Sequence, residues 1–207
     1  MTERQVSPAL KKILEQDVKL TDRFVAYLLQ FSSFKSLKIH CKMLEVSCDG
    51  IAWLATWVAF IWLLNSSDLH QMQVNMLIGL LLDIVVVALL KAFVRRRRPM
   101  PATDMLTIGP DKFSFPSGHA SRAFYILVFF THLYSLPIIF WMPLTAWAVS
   151  VVLSRLILKR HYILDVCAGA LIGVVEALFL GLIWLSADSA AWFVGFLSED
   201  KVFSEPN

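Results

Sequence analysis

Charge is what this chain has least of. Asp, Glu, Lys and Arg make up 17% of its 207 residues, against about 25% in an ordinary soluble domain. With 57% of the residues hydrophobic, a chain of this size has too little polar surface to enclose several wholly apolar helices, which argues against a water-soluble bundle. Cysteine is equally scarce: Cys41, Cys48 and Cys167 show neither a disulfide framework nor paired metal-ligand spacing, so they read as reduced thiols. No internal repeat or low-complexity segment stands out. The opening "MTERQVSPALKKILEQDVKL" has no apolar centre, so a cleavable signal peptide is not expected.

What the chain has in quantity is apolar runs. They cover Ile51 to Leu64, Met72 to Leu90, Ala123 to Leu136, Ile138 to Leu153 and Ile163 to Leu185. The second and fifth approach the twenty residues that a bilayer requires, and the others reach across with flanking residues. Trp53, Trp57, Trp62, Trp141, Trp147, Trp184 and Trp192 lie mostly near run ends, where an indole sits at headgroup level. The expected fold is therefore all-α, a multi-span integral membrane bundle with five clear spans. Ahead of them, Leu20 to Leu44 carries apolar residues at three- and four-residue spacing with charges between, which predicts an amphipathic helix that lies on the membrane or re-enters it. Asp49 and Gly50 break the chain before the first span. The resulting division is a charged tail and interfacial helix over 1–50, a membrane-embedded core over 51–185 and a short acidic tail over 186–207.

Basic residues are unevenly placed. Sixteen Lys and Arg fall in the first 50 residues, the 91–119 loop and the 159–162 turn, whereas the opposite side has Lys201 alone. The positive-inside rule puts the first group in the cytoplasm. The sequon at Asn65 falls on the other side, close to the membrane. Asp83 and Glu176 lie inside apolar runs, where helix-to-helix polar pairing is expected.

Three polar motifs fall on the basic side. "KAFVRRRRP", Lys91 to Pro99, could by itself be a nucleic-acid patch or a stop charge against anionic lipid. "DKFSFPSGHAS" ends a loop and starts a helix: Ser117 can cap it, and the N–H groups of Ser117, Gly118 and His119 would then form an anion site. In "SRLILKRHYILDV", His161 and Asp165 are four apart. On a helix they share a face, so the carboxylate would hold one ring nitrogen, make the imidazole more basic and leave the other nitrogen to attack. Arg155 lies one turn before that loop. His119 could nominally complete a metal site, but Lys91, Arg98 and Arg155 make a surround that suits phosphate rather than a divalent cation.

Together these motifs resemble the type 2 phosphatidic acid phosphatase superfamily of lipid phosphate phosphatases. "KAFVRRRRP" is similar to its K-x6-R-P pattern, "PSGH" to its second motif, and "SRLILKRHYILD" to its third, S-R-x5-H-x3-D. "RRRRP", "DKFSFPSGHASR" and "CKMLEVSCDGIAWL" resemble most the polyisoprenoid and presqualene diphosphate phosphatase branch of the endoplasmic reticulum and nuclear envelope. The resemblance implies six membrane helices, phosphate binding by Lys91, Arg98, Arg155, Ser117 and Gly118, His119 as acid, His161 as nucleophile and Asp165 as its partner. It also implies hydrolysis of a lipid phosphate or isoprenoid diphosphate without metal or cofactor, within a bilayer and without nucleic acid. A homo-oligomer stays open. The alternatives are a broad phosphatidate, lysophosphatidate and sphingosine 1-phosphate phosphatase and, from another class, a catalytically silent membrane scaffold.

Overall fold

The computed structural model describes residues 7–31, 34–100 and 112–197. Residues 1–6 of the charged tail, most of the loop after Met100, and Glu199, Asp200, Lys201 and Glu205 of the acidic tail lie outside the described residues.

The amphipathic stretch is two helices. α1 runs Pro8–Gln30, started by Ser7, whose hydroxyl accepts the Leu10 amide, and by Pro8 with its fixed φ. It therefore begins within what reads from sequence as a charged tail. α2 is Phe34–Ser47 and α3 is Gly50–Leu63. Asp49 produces the break between them: its Oδ1 accepts the amides of Ile51 and Ala52, both at 3.0 Å, and so caps α3. The two axes differ by 48°. The end of α2 is satisfied from elsewhere, because Arg122 Nη1 donates to the Cys48 carbonyl at 3.0 Å.

α4 covers Ser67–Val94, α5 Gly118–Val128, α6 Trp141–Ile157, α7 Ile163–Leu182 and α8 Ala187–Leu197. Among the described residues, three helical units are long and apolar enough to cross a membrane: α4, Ile138–Ile157 and α7. The bent α2–α3 pair makes a fourth if it is one span. Only 28%, 22% and 39% of these three is buried in the protein; the rest is apolar surface suited to lipid. The expectation of five clear spans is thus corrected. α3 has 14 residues, about 21 Å of helix against the roughly 30 Å of a hydrocarbon core. The Ala123–Leu136 run contributes only the end of α5 and a wider π turn over Phe129–Leu133, closed where the Tyr134 amide returns to the Phe129 carbonyl.

Close helix contact is concentrated where α5 meets α7. Gly169 and Gly173 lie against the backbone of Ser117 and Ser121, so near that a Cβ on either would collide with a carbonyl oxygen. Small residues let membrane helices approach to this degree. Below that crossing, Trp57, Met76, Leu80, Tyr125, Phe129 and Leu180 form the main apolar core. The charges inside the bundle are paired between helices: Arg122 Nη2 meets Asp83 Oδ2 at 2.7 Å, and Ser121 Oγ donates to Glu176 Oε2 at 3.4 Å. α8, in the stretch that reads as an acidic tail, packs Ala190 and Val194 on Val74 of α4.

Candidate active site

The three motifs meet at one end of the bundle. α4 closes with Lys91, buried in its last turn, and Arg95 then takes a left-handed conformation, φ 55°, that ends the helix. This turn carries Arg96–Met100 back across the end of the bundle. The Ser114 amide donates to the Arg96 carbonyl at 2.8 Å, Arg98 Nε donates to the Phe113 carbonyl at 3.3 Å, and the Met100 amide donates to the Lys159 carbonyl at 3.2 Å. Backbone bonding therefore joins the first motif to the approach of the second and to the loop of the third.

Ser117 caps α5 as its sequence position suggests, its Oγ accepting the Ala120 amide. Its own N–H does not face an anion, which corrects that expectation: it donates to the Asp165 carbonyl at 3.0 Å. Gly118 and His119 retain the first two amides of the helix, which have no intrahelical acceptor. His119 Nε2 contacts the Glu45 carbonyl at 3.1 Å. Arg155 is 1% exposed; Nη1 donates to Glu45 Oε1 at 3.0 Å, Nε donates to Ser154 Oγ, and Nη2 is buried with no hydrogen-bond partner among the described residues. An orphaned guanidinium N–H of this kind suits an incoming oxyanion.

His161 is also buried, at 2% exposure. It lies outside any helix, because α7 starts at Ile163 with Tyr162 as its cap residue. The shared helical face expected for His161 and Asp165 therefore does not form. Asp165 Oδ2 is 3.9 Å from His161 Nδ1, too far for a hydrogen bond. Instead Nδ1 donates to the Ser114 carbonyl at 2.7 Å, which fixes the tautomer and leaves Nε2 as the free nitrogen. Burial first, then the charges of Arg98, Lys91 and Arg155, push the His161 imidazole well below the ordinary histidine value of 6.5, with the Ser114 carbonyl opposing. The expected gain in basicity is overturned. His161 is a neutral, oriented base at pH 7.

Asp165 serves the loop rather than the ring. Oδ2 accepts the Tyr162 amide at 2.9 Å and Oδ1 accepts Arg96 Nη1 at 2.7 Å. Arg96 Nη2 continues to Asp17 Oδ2 on α1 at 2.6 Å, and its guanidinium lies 4.2 Å from the Tyr162 ring centroid. α1 supplies the remaining caps of α7: Thr21 Oγ1 accepts the Ile163 amide and Asp17 Oδ1 the Leu164 amide, both at 3.1 Å. Arg96, Ser114, Glu45, Asp17 and Thr21 are the functional neighbours that sequence reasoning missed. Arg96 is one of four consecutive arginines, and only the fold tells them apart.

Two measurable consequences arise from this geometry. A histidine whose folded pKa is lowered contributes stability above 6.5 that is lost as pH falls, since the unfolded chain takes the proton first. The acid limb of kcat/KM, corrected for the substrate phosphate's own ionisation near pH ~6, is therefore expected below 6.5; a limb above 6.5 would contradict a buried neutral His161. Arg96→Gln is expected to lower kcat about 10- to 100-fold with little change in KM, as loss of a side chain that positions others does. Arg97→Gln serves as the comparison, and equal losses in the two variants would deny Arg96 this role.

Fold and site define a polytopic helical membrane protein with two histidines and a group of cations gathered at one end of its bundle. Its fold is similar to the crystal structure of a transmembrane PAP2-type phosphatidylglycerolphosphate phosphatase from Bacillus subtilis, with a TM-score of 0.61, 20% identity, and coverage of 86% of this chain and 87% of that one. Aquifex aeolicus LpxE is similar at a TM-score of 0.57 and 20% identity, over 87% of this chain and 98% of its own. In sequence, a probable lipid phosphate phosphatase beta from Arabidopsis thaliana is 33% identical over 165 residues, 66% of this chain and 76% of that protein. The model of the PAP2 superfamily matches residues 73–188. This chain belongs to the PAP2, or type 2 phosphatidic acid phosphatase, superfamily.

Proposed function

We propose that this protein is a lipid phosphate phosphatase that works without metal through a phosphohistidine. The observation that carries the reading is the state of His161: its Nδ1 proton is held on the Ser114 carbonyl while Lys91, Arg98 and Arg155 act on the ring, an arrangement suited to attack on a phosphate. The three cations and the first amides of α5 balance the charge on the equatorial oxygens. The Nε2 lone pair of His161 forms the N–P bond as the P–O bond to the lipid breaks; His119, which burial and the charges of Arg155 and Arg122 hold well below the ordinary histidine value, takes up a proton from the monoanionic phosphate as it enters and gives that proton to the departing oxygen. That oxygen competes for the proton with the Glu45 carbonyl, which His119 Nε2 contacts at 3.1 Å. Water then attacks phosphorus and gives up a proton to His119 as the N–P bond breaks, which frees His161 and releases phosphate.

The substrate reading that the family and the Arabidopsis relative support best is broad: phosphatidate, lysophosphatidate and sphingosine 1-phosphate. A preference for farnesyl, geranylgeranyl or presqualene diphosphate, with residence in the endoplasmic reticulum and nuclear envelope, rests on "RRRRP", "DKFSFPSGHASR" and "CKMLEVSCDGIAWL". Residues 91–100 and 112–119, the 159–162 turn and α1 gather at one end, which supports a cytoplasmic site. The test is phosphate release from a panel of these lipids by purified protein, with and without EDTA. Undiminished release in EDTA is expected; loss in EDTA with recovery in magnesium overturns the mechanism.

A further inference from the structure

Between α1 and the start of α7 lies a groove of about 420 Å³ whose walls include the apolar side chains of Ile13, Leu20, Ile163 and Leu164, together with Lys19 and Arg23. It occurs where a membrane span begins, since α7 is one of the crossing helices and Ile163 is its first residue. α1 has three faces at helical spacing. Asp17, Thr21 and Val25 are buried against the protein. Ile13, Leu20, Tyr27 and Phe31 form an apolar stripe that stays exposed beside that face. Lys12, Lys19 and Arg23 lie beyond the stripe, as in helices that rest in a membrane interface. The groove thus offers apolar walls at the start of an apolar span and two cations beside them, which complements one ligand chemistry: an acyl chain with an anionic head.

The wall of this groove also touches the catalytic loop. Asp17 and Leu164, both in the lining, are joined by the bond from the Leu164 amide to Asp17 Oδ1, and Ile163 is held by Thr21. His161 lies two residues before Ile163, and Asp17 shares Arg96 with Asp165. Any ligand that presses α1 onto α7 therefore steadies the segment that carries His161. A ligand needs only to prefer the docked arrangement to shift the population toward it.

We propose that the α1–α7 groove binds an anionic phospholipid of the surrounding membrane, and that its occupancy holds the nucleophile loop in place, so that turnover depends on the anionic lipid content of the bilayer. The effect on turnover rests on the phosphatase reading; the effect on loop order does not.

The full chain is placed in nanodiscs of phosphatidylcholine alone or with about 20 mol % phosphatidylglycerol, an anionic diester with no terminal phosphate to remove, enough to give a negative surface. Two quantities are read: hydrogen exchange at the Ile163 and Leu164 amides, and kcat on a water-soluble short-chain phosphatidate, which avoids dilution of substrate in the disc. Phosphatidylglycerol is expected to slow exchange at both amides roughly tenfold and to raise kcat roughly threefold, within the range that small changes of position produce. The double variant Lys19→Gln, Arg23→Gln is expected to match the wild type in phosphatidylcholine and to lose both responses. Equal exchange in the two discs overturns the inference, as does a response that survives in the double variant, since that would reflect surface potential alone. Absence of phosphate release in every disc defeats the phosphatase reading, while the exchange result still decides the lipid site.

Discussion

His161→Asn is expected to lower phosphate release by about 10⁴-fold or more, the scale on which removal of a nucleophile acts. Asparagine can still donate to the Ser114 carbonyl, so the loop keeps its anchor while the attacking nitrogen is gone. Rapid quench with labelled substrate should trap phosphate on the wild-type protein in an acid-labile form and none on this variant. His119→Ala should slow turnover yet still form the phosphoenzyme from a substrate with a good leaving group, which needs little protonation. Label mapped to His119, or to neither histidine, would overturn the assignment. Asp165→Asn separates two views of the carboxylate. As a direct partner of the ring its loss would approach the roughly 10⁴-fold seen when a triad carboxylate is changed. The 3.9 Å separation, and the bonds from Tyr162 and Arg96, place it as a positioning residue, with a loss nearer to about 10- to 100-fold.

The second large effect is expected from Gly173→Ala. In an exposed helix this change would stabilise by about 1 kcal/mol through propensity alone. At this crossing the new methyl would collide with the Ser121 carbonyl oxygen and lie 2.8 Å from the Tyr125 amide nitrogen, and backbone cannot rotate away as a side chain does. A net destabilisation of about 3 kcal/mol or more is expected, at the upper end of overpacking costs. The sign reversal itself identifies the contact. Thermal unfolding in detergent measures it, and an unchanged or raised midpoint would show that the helices can part at little cost. Activity should fall with stability, because the same crossing holds the Ser117 amide on the Asp165 carbonyl.

Much of the site is legible in the sequence because its chemistry needs rare residues at fixed spacing. Lys91, Arg98, His119, Arg155 and His161 are polar groups beside apolar runs, and a common side of the membrane already brings them together. The connections between them are less visible. A four-residue interval signals a shared face only inside a helix, and α7 begins two residues after His161, so the spacing of His161 and Asp165 misled. Asp165 as the third helical residue, reaching back to the Tyr162 amide, is a helix-start signal that could have shown this. Asp17 and Thr21 cap α7 across more than a hundred residues, and no local pattern tells an amphipathic helix which backbone its polar side chains will meet. Span counting failed for a related reason: hydropathy registers composition, whereas the cap at Asp49 and the π turn after Val128 decide where helices stop.

The Arg122–Asp83 pair bears on how the chain enters the bilayer. A lone arginine at the centre of an inserting helix costs about 2.5–3.5 kcal/mol, and α5, with 11 residues, has little apolar length to offset it. Its partner is on α4, which the ribosome delivers first. The guanidinium is neutralised only where α4 and α5 pack together, so the burial of α5 in the bilayer and its docking on α4 are energetically linked. Arg122 also closes the end of α2 through the Cys48 carbonyl, so the same side chain links the α2–α3 elbow to that docking.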